Sequence, residues 1–209
     1  MLLWCDWTTR GAGLLMRKRT NSTHGFSLVE VMISLVVMSV IMAATIIEMQ
    51  PLVQQMHANA GQNLILGQLR WARQLSIARR RDIRVQLIGN NEIKLTQLPV
   101  PGVGGANVTI SDVFLSPTVS FMTFPTEPDT PDAFGNATPV CFGAVAGCPN
   151  PPFMQFQSNG TFVDVNGIPI NGTVFLGVAN IPTSARAITV LGTTGKIRTY
   201  KGTGSGWTH

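Results

Sequence analysis

The sequence predicts an α+β chain in which a long N-terminal helix crosses a membrane and packs on a small antiparallel β-sheet domain. Three observations point there. Residues 31–47 carry no charged side chain, and the mostly apolar residues 26–29 precede them across Glu30. At 1.5 Å per residue such a run covers most or all of a hydrocarbon core if it is helical. Beyond Pro51, apolar residues recur every three to five positions; further on, short alternating segments are bounded by Gly, Asn or Pro. In 209 residues with 21 glycines, 13 prolines and only 12% charged side chains, strands and turns fit better than further exposed helices.

Residues 1–25 read as a leader. Met16 opens a compact basic stretch, MRKRTNSTHG, so residues 1–15 read as an extension upstream of the true start. Arg10, Arg17, Lys18 and Arg19 against Asp6 account for most of the net charge of +5, and the remainder is close to balanced. That distribution retains the leader on the cytoplasmic side and is weak support for a nucleic-acid partner. No apolar stretch precedes a small-residue cleavage site, which disfavours a conventional secretory signal.

Residues 26–50 form the expected transmembrane and assembly helix. Glu30 lies in its first turns, where a charge is costly in hydrocarbon unless it sits at the head groups or meets a partner. The helix continues over 51–82. Pro51 removes one donor and bends it, and Leu52, Met56, Ala60, Leu64, Leu69, Ala72, Leu75 and Ala78 make an apolar stripe. Gly61 and Gly67 lower helix propensity but admit a close neighbour. Arg70, Arg73, Arg79, Arg80 and Arg81 crowd the last turns, where cations are favourable without any ligand.

Residues 83–201 form a β-rich domain. Ile83, Val85 and Leu87 alternate with polar residues, 89–91 turn the chain, and 92–98 alternate again, which predicts a hairpin. One or two strands are expected over 108–115 and another over 119–124. The proline-rich residues 125–152 read as a surface loop. Further strands are expected over 153–156, 161–165, 174–178, 187–191 and 196–200, the last two joined by a hairpin turn, and 202–209 as a flexible tail. If the domain is exported, Cys141 and Cys148 suit a disulfide; the alternative is two unpaired small side chains.

Catalytic patterns are missing. The sequence has no GxSxG, HExxH, Walker loop or dinucleotide fingerprint. The glycines at 102–105 read as a flexible loop. His57 has no assignable nucleophile or orienting carboxylate, and Asp129 and Asp132 read as solvated loop carboxylates. The chain is therefore read as no enzyme, with no metal and no cofactor.

The run Gly25-Phe26-Ser27-Leu28-Val29-Glu30, with a basic leader before it and the apolar run after it, resembles the class III signal of type IV pilins and pseudopilins. The resemblance implies cleavage after Gly25 by a prepilin peptidase, methylation of the new N-terminus at Phe26, and an assembly role for Glu30 opposite the α-ammonium of a neighbouring subunit. The stretches FQSNGTFVDVNG and ARAITVLGTTGKIRTY, with Phe156, Gly160, Arg186, Ile188, Gly195, Lys196 and Ile197, are similar to the closing strands of the GspH/FimT-like pseudopilin domain. LRWARQLSIARRRDIRVQL is similar to that family's helix end and first strand. Pro51 lies later than the helix proline of typical major pilins, so the resemblance implies a minor subunit.

By this likeness the chain is expected to be a minor pseudopilin of a type II secretion system, built into the short fibre or its tip. It would be a single-pass inner-membrane protein with a periplasmic C-terminal domain. Its partners would be prepilin peptidase, other pseudopilins or pilins, the inner-membrane assembly platform and an exported substrate. The alternative is a minor type IV pilin, FimT- or FimU-like, in pilus biogenesis or DNA uptake. In that reading Arg186, Lys196, Arg198 and Lys201 near Tyr200 would contact phosphates.

Overall fold

Helix α1 spans Leu28–Arg79 and contains Pro51, and its ends follow from local chemistry. The Ser27 carbonyl accepts the Val31 N–H at 3.1 Å, which makes Ser27 the cap residue. Glu30 then stands three residues on, the spacing of a capping box, in the turn where the helix dipole favours negative charge. At the other end Arg80 takes a left-handed conformation with φ 51°. The Arg81 N–H donates back to the Ser76 carbonyl at 3.1 Å, a Schellman-type stop. The computed structural model describes residues 25–100, 102–143, 148 and 153–209. The leader before Gly25 and the expected restart at Met16 lie outside the described residues.

The chain divides into two compact units, residues 1–44 and 45–209. In the described part of the first, apolar side chains are exposed on every side of the helix, from Leu28 and Val29 through Val36 and Val37 to Ile41 and Met42. Among the described residues, however, no helix is long and apolar enough to cross a membrane. This corrects the expected transmembrane helix over 26–50, and with it the single-pass inner-membrane placement and the periplasmic C-terminal domain. The physical reason lies in the sequence. The uncharged run is closed by Glu30 on one side and Glu48 on the other, and Ser34, Ser39 and Thr45 interrupt it. At 17 residues it stands at the lower end of the roughly 17–25 predominantly apolar residues that a crossing uses.

The second unit holds the rest of α1 and two antiparallel sheets. Strands β1 (Ile83–Ile88) and β2 (Glu92–Gln97) form the expected hairpin, and β3 (Val108–Phe114) is one strand paired to β2. With β6 (Met154–Phe156) and β7 (Phe162–Val163) they make a first sheet in the order β3-β2-β1-β6-β7. The second sheet is built from β4 (Ser120–Phe121), β8 (Gly172–Gly177), β9 (Arg186–Leu191), β10 (Lys196–Gly202) and β11 (Trp207–Thr208). Its strand order is β11-β10-β9-β8-β4. Strand β5 (Val140–Phe142) also pairs with β8.

One core joins these layers. Ile65, Leu69 and Ala72 of α1 meet Ile83, Val85, Ile93 and Leu95 of the first sheet and Val174, Leu176, Ile188 and Val190 of the second. The buried helix stripe is Ala58, Gly61, Ile65, Leu69, Ala72 and Ser76. It is rotated from the expected one, since Leu52 and Met56 are exposed. Close approach explains the difference: a Cβ on Gly61 would sit 3.1 Å from Val119 and 3.3 Å from Leu176, so around this level the small residues Ala58 and Gly61 face inward and Leu52 and Met56 stay outside.

Two further expectations change, and the expected disulfide is met. Residues 125–152 are not only a surface loop, because Glu127, Thr130, Cys141 and Phe142 are buried and β5 lies within the segment. Cys141 and Cys148 are joined by a disulfide with their Cα atoms 4.8 Å apart. The tail is ordered as well, with β11 pairing through Gly202–Trp207 and Lys201–Thr208.

Candidate functional site

The motif at the start of α1 is open on the molecule's surface. Gly25 has φ outside the left-handed range, and an added Cβ would meet nothing within 4 Å among the described residues. Phe26 is 79% exposed. Ser34 donates its hydroxyl to the Glu30 carbonyl at 2.7 Å, while no ion pair holds the exposed Glu30 carboxylate among the described residues. The bond between Gly25 and Phe26 is thus non-helical, uncrowded and just outside the helix cap. A helix that is apolar all round is stable in water only when other surfaces cover it.

In the second unit the exposed apolar face of α1 includes Met49, Leu52, Val53 and Met56. Pro51, Met49, Val53 and Ile181 line an open depression of about 630 Å³. Pro51 lies within a helix that continues past it.

The candidate phosphate-binding cluster does not come together. Successive strand residues face opposite sides, and Arg186 is paired with Lys201 while Arg198 is paired with Thr189. Lys196, Arg198 and Tyr200 therefore share one face of β10, and Arg186 lies on the other side of the sheet. Arg186 is completely buried. Its Nε donates to Asn59 Oδ1 at 2.7 Å, and its Nη1 donates to the carbonyls of Ala185 at 2.6 Å and Thr183 at 3.1 Å. Burial lowers its pKa, though a guanidinium stays charged. Arg198 is ion-paired with Asp132. Lys196 and Lys201 remain exposed on opposite faces.

Asp132, expected to be a solvated loop carboxylate, is instead the polar centre of this outer face. Its Oδ2 accepts the hydroxyls of Thr189 at 2.6 Å and Tyr200 at 2.9 Å. Burial alone would raise its pKa; those two hydrogen bonds and the Arg198 charge outweigh burial and hold it below the usual value. Tyr200 is pushed up, by burial first and then by its bond to Asp132. Asp129 is also committed, accepting the N–H groups of Thr130 at 2.7 Å and Gly135 at 2.8 Å. No local pattern announces these pairings of Asp132, because they join residues far apart in sequence. Among the described residues no cluster of three or more His, Cys, Asp or Glu could hold a metal.

Residues 20–46 match the model of the prokaryotic N-terminal methylation motif. No curated protein matches the chain in sequence. Among solved structures, the chain is similar to the type IV minor pilin FimU of Pseudomonas aeruginosa at 15% identity and a TM-score of 0.43, over 77% of this chain and 96% of that one. It is also similar to the minor pseudopilin EpsH from the type 2 secretion system of Vibrio cholerae, at 12% identity and a TM-score of 0.42, over 69% and 97% respectively.

Proposed function

We propose that this chain is a pilin- or pseudopilin-like structural subunit, and within that class a minor pseudopilin of a type II secretion fibre. A prepilin peptidase cuts after Gly25 and Phe26 becomes the methylated N-terminus. The apolar helix surface then packs against the helices of other subunits. The observation that carries this reading is the match over residues 20–46, which includes an exposed Gly25–Phe26 bond leading directly into that apolar helix.

Glu30 is the assembly acid in this reading. Packed among apolar helices it meets the α-ammonium of a neighbouring Phe26, which offsets the cost of removing each charge from water. Pro51 and the exposed Met49, Leu52, Val53 and Met56 extend the packing surface toward the β-rich domain. The placement of Pro51, later than in typical major pilins, supports a minor position in the fibre.

Mass spectrometry of the mature protein from its native host tests the reading. The expected N-terminus is N-methylated Phe26. A mature chain that retains the residues before Gly25 overturns it. Copurification with secretion subunits supports the pseudopilus assignment, whereas copurification with pilus subunits moves the chain to the pilin branch of the same class.

A further inference from the structure

Outside the motif, one carboxylate is buried against aromatic rings with half of its hydrogen-bonding capacity unused. Glu127 is 6% exposed. Its Oε1 accepts the Gly204 N–H at 2.6 Å, while Oε2 is shielded from solvent and meets no donor among the described residues. Glu127 lines a cavity of about 130 Å³ together with Phe124, Phe175, Trp207, Thr123 and Asn136, and no basic side chain lines that cavity.

The surroundings are built rather than incidental. The Phe175 and Trp207 rings stand 5.7 Å apart. The Trp207 indole donates to the Pro128 carbonyl at 2.8 Å, which fixes the ring in the cavity lining. Glycine is required beside both key groups. A Cβ at Gly177 would lie 2.6 Å from the Phe124 ring, and one at Gly202 would lie 2.6 Å from Glu127 Oε1. Trp207 belongs to the two-residue edge strand β11, which pairs only with β10 among the described residues.

We propose that this cavity receives a primary alkylammonium group, the chemistry of a lysine side chain. The ammonium donates to Glu127 Oε2, supplying the missing donor in a charge-assisted hydrogen bond. Its methylene stem lies against Phe124, Phe175 and Trp207, whose ring faces favour a cation. The volume holds a short amine and excludes a bulky ligand. The inference does not depend on processing at Gly25.

The test is titration of the full-length chain with n-butylammonium, n-butanol and N-acetyl-lysine N-methylamide, followed through the Gly204 amide and Trp207 indole resonances. The expected result is saturable binding of butylammonium with a dissociation constant on the order of 1 mM and a response to butanol at least about tenfold weaker. Binding of the lysine amide as well identifies a protein side chain as the source; binding of butylammonium alone identifies a free amine. Glu127→Gln keeps the acceptor for Gly204 and should abolish the preference for the cation. Trp207→Leu, which leaves the carboxylate in place, should weaken binding while preserving the preference. Equal responses to amine and alcohol, no response to either amine, or an unchanged preference in a folded Glu127→Gln chain overturns the proposal.

Discussion

Tyr200 donates its phenolic hydrogen to Asp132 Oδ2 at 2.9 Å, joining β10 to a residue 68 positions earlier in the proline-rich segment. Thr189 reaches the same oxygen from β9 at 2.6 Å, and Arg198 ion-pairs with the other. A single carboxylate therefore pins an otherwise irregular segment across two adjacent strands. Tyr200 is only 1% exposed, so its hydroxyl has no ready replacement partner in water.

Asp132→Ala is expected to lower stability by about 2–3 kcal/mol, because it strands two buried hydroxyls. Asp132→Asn, which keeps an acceptor, should cost less. The pH dependence has a definite sign. The folded pKa of Asp132 is depressed, so its contribution is complete above the unfolded value of about 3.9 and is lost as pH falls through the lower folded value. Thermal melts should show the gap between the unaltered chain and Asp132→Asn narrowing below about pH 4. A gap that stays constant down to acid unfolding contradicts this account.

The two helix glycines should respond oppositely to substitution. Around Gly67 a new Cβ meets nothing within 4 Å, so Gly67→Ala should stabilise by about 0.5–1 kcal/mol through helix propensity alone. Gly61 faces Val119, Leu176 and Leu115 at 3.1 to 3.4 Å. Gly61→Leu forces the helix off the sheet and should cost about 1–3 kcal/mol. Urea unfolding of the two variants separates these outcomes.

Much of this fold is legible wherever a local period carries the signal. The 83–97 hairpin follows from alternation plus a turn, and the motif at Gly25–Glu30 from fixed spacing. The proline-rich segment is not legible in this way. Proline marks irregular backbone but says nothing of where that backbone packs, and burial of Glu127 and Asp132 depends on strands much later in the chain. Arg186 shows the same limit. A basic residue at the start of an alternating strand looks like surface until register places it toward α1. The helix stripe differs from expectation because Leu52 and Met56 carry the stronger apolar signal, whereas the closest contact needs Ala58 and Gly61.

Arg186 allows a further test because its buried charge has no carboxylate partner among the described residues. Arg186→Lys keeps the charge but loses the planar fork that serves Asn59 and two carbonyls, so it should cost more than about 2 kcal/mol. Arg186→Met strands the same acceptors yet removes the charge, whose burial is itself costly. Chemical denaturation should therefore rank Met above Lys. If Lys proves nearly as stable as Arg, a point charge suffices and the fork is not what the site needs.

Glu30 separates a helix-capping role from the proposed assembly role. A carboxylate in the first helical turn contributes about 0.3–1 kcal/mol with the dipole, and a glutamine retains part of its capping ability. Those effects are too small to disrupt a 52-residue helix. If Glu30 instead meets the ammonium of a neighbouring Phe26, its neutral variants leave that ammonium buried without a counter-charge, a loss on the order of 3–5 kcal/mol per contact. Glu30→Leu and Glu30→Gln should both leave cleavage after Gly25 mostly intact while sharply reducing copurification with fibre partners. Glu30→Asp should retain part of the incorporation, since the charge survives on a shorter stem. Normal copurification of Glu30→Leu would reduce Glu30 to a helix-end residue and reject its assembly role, whatever the N-terminus of the mature chain.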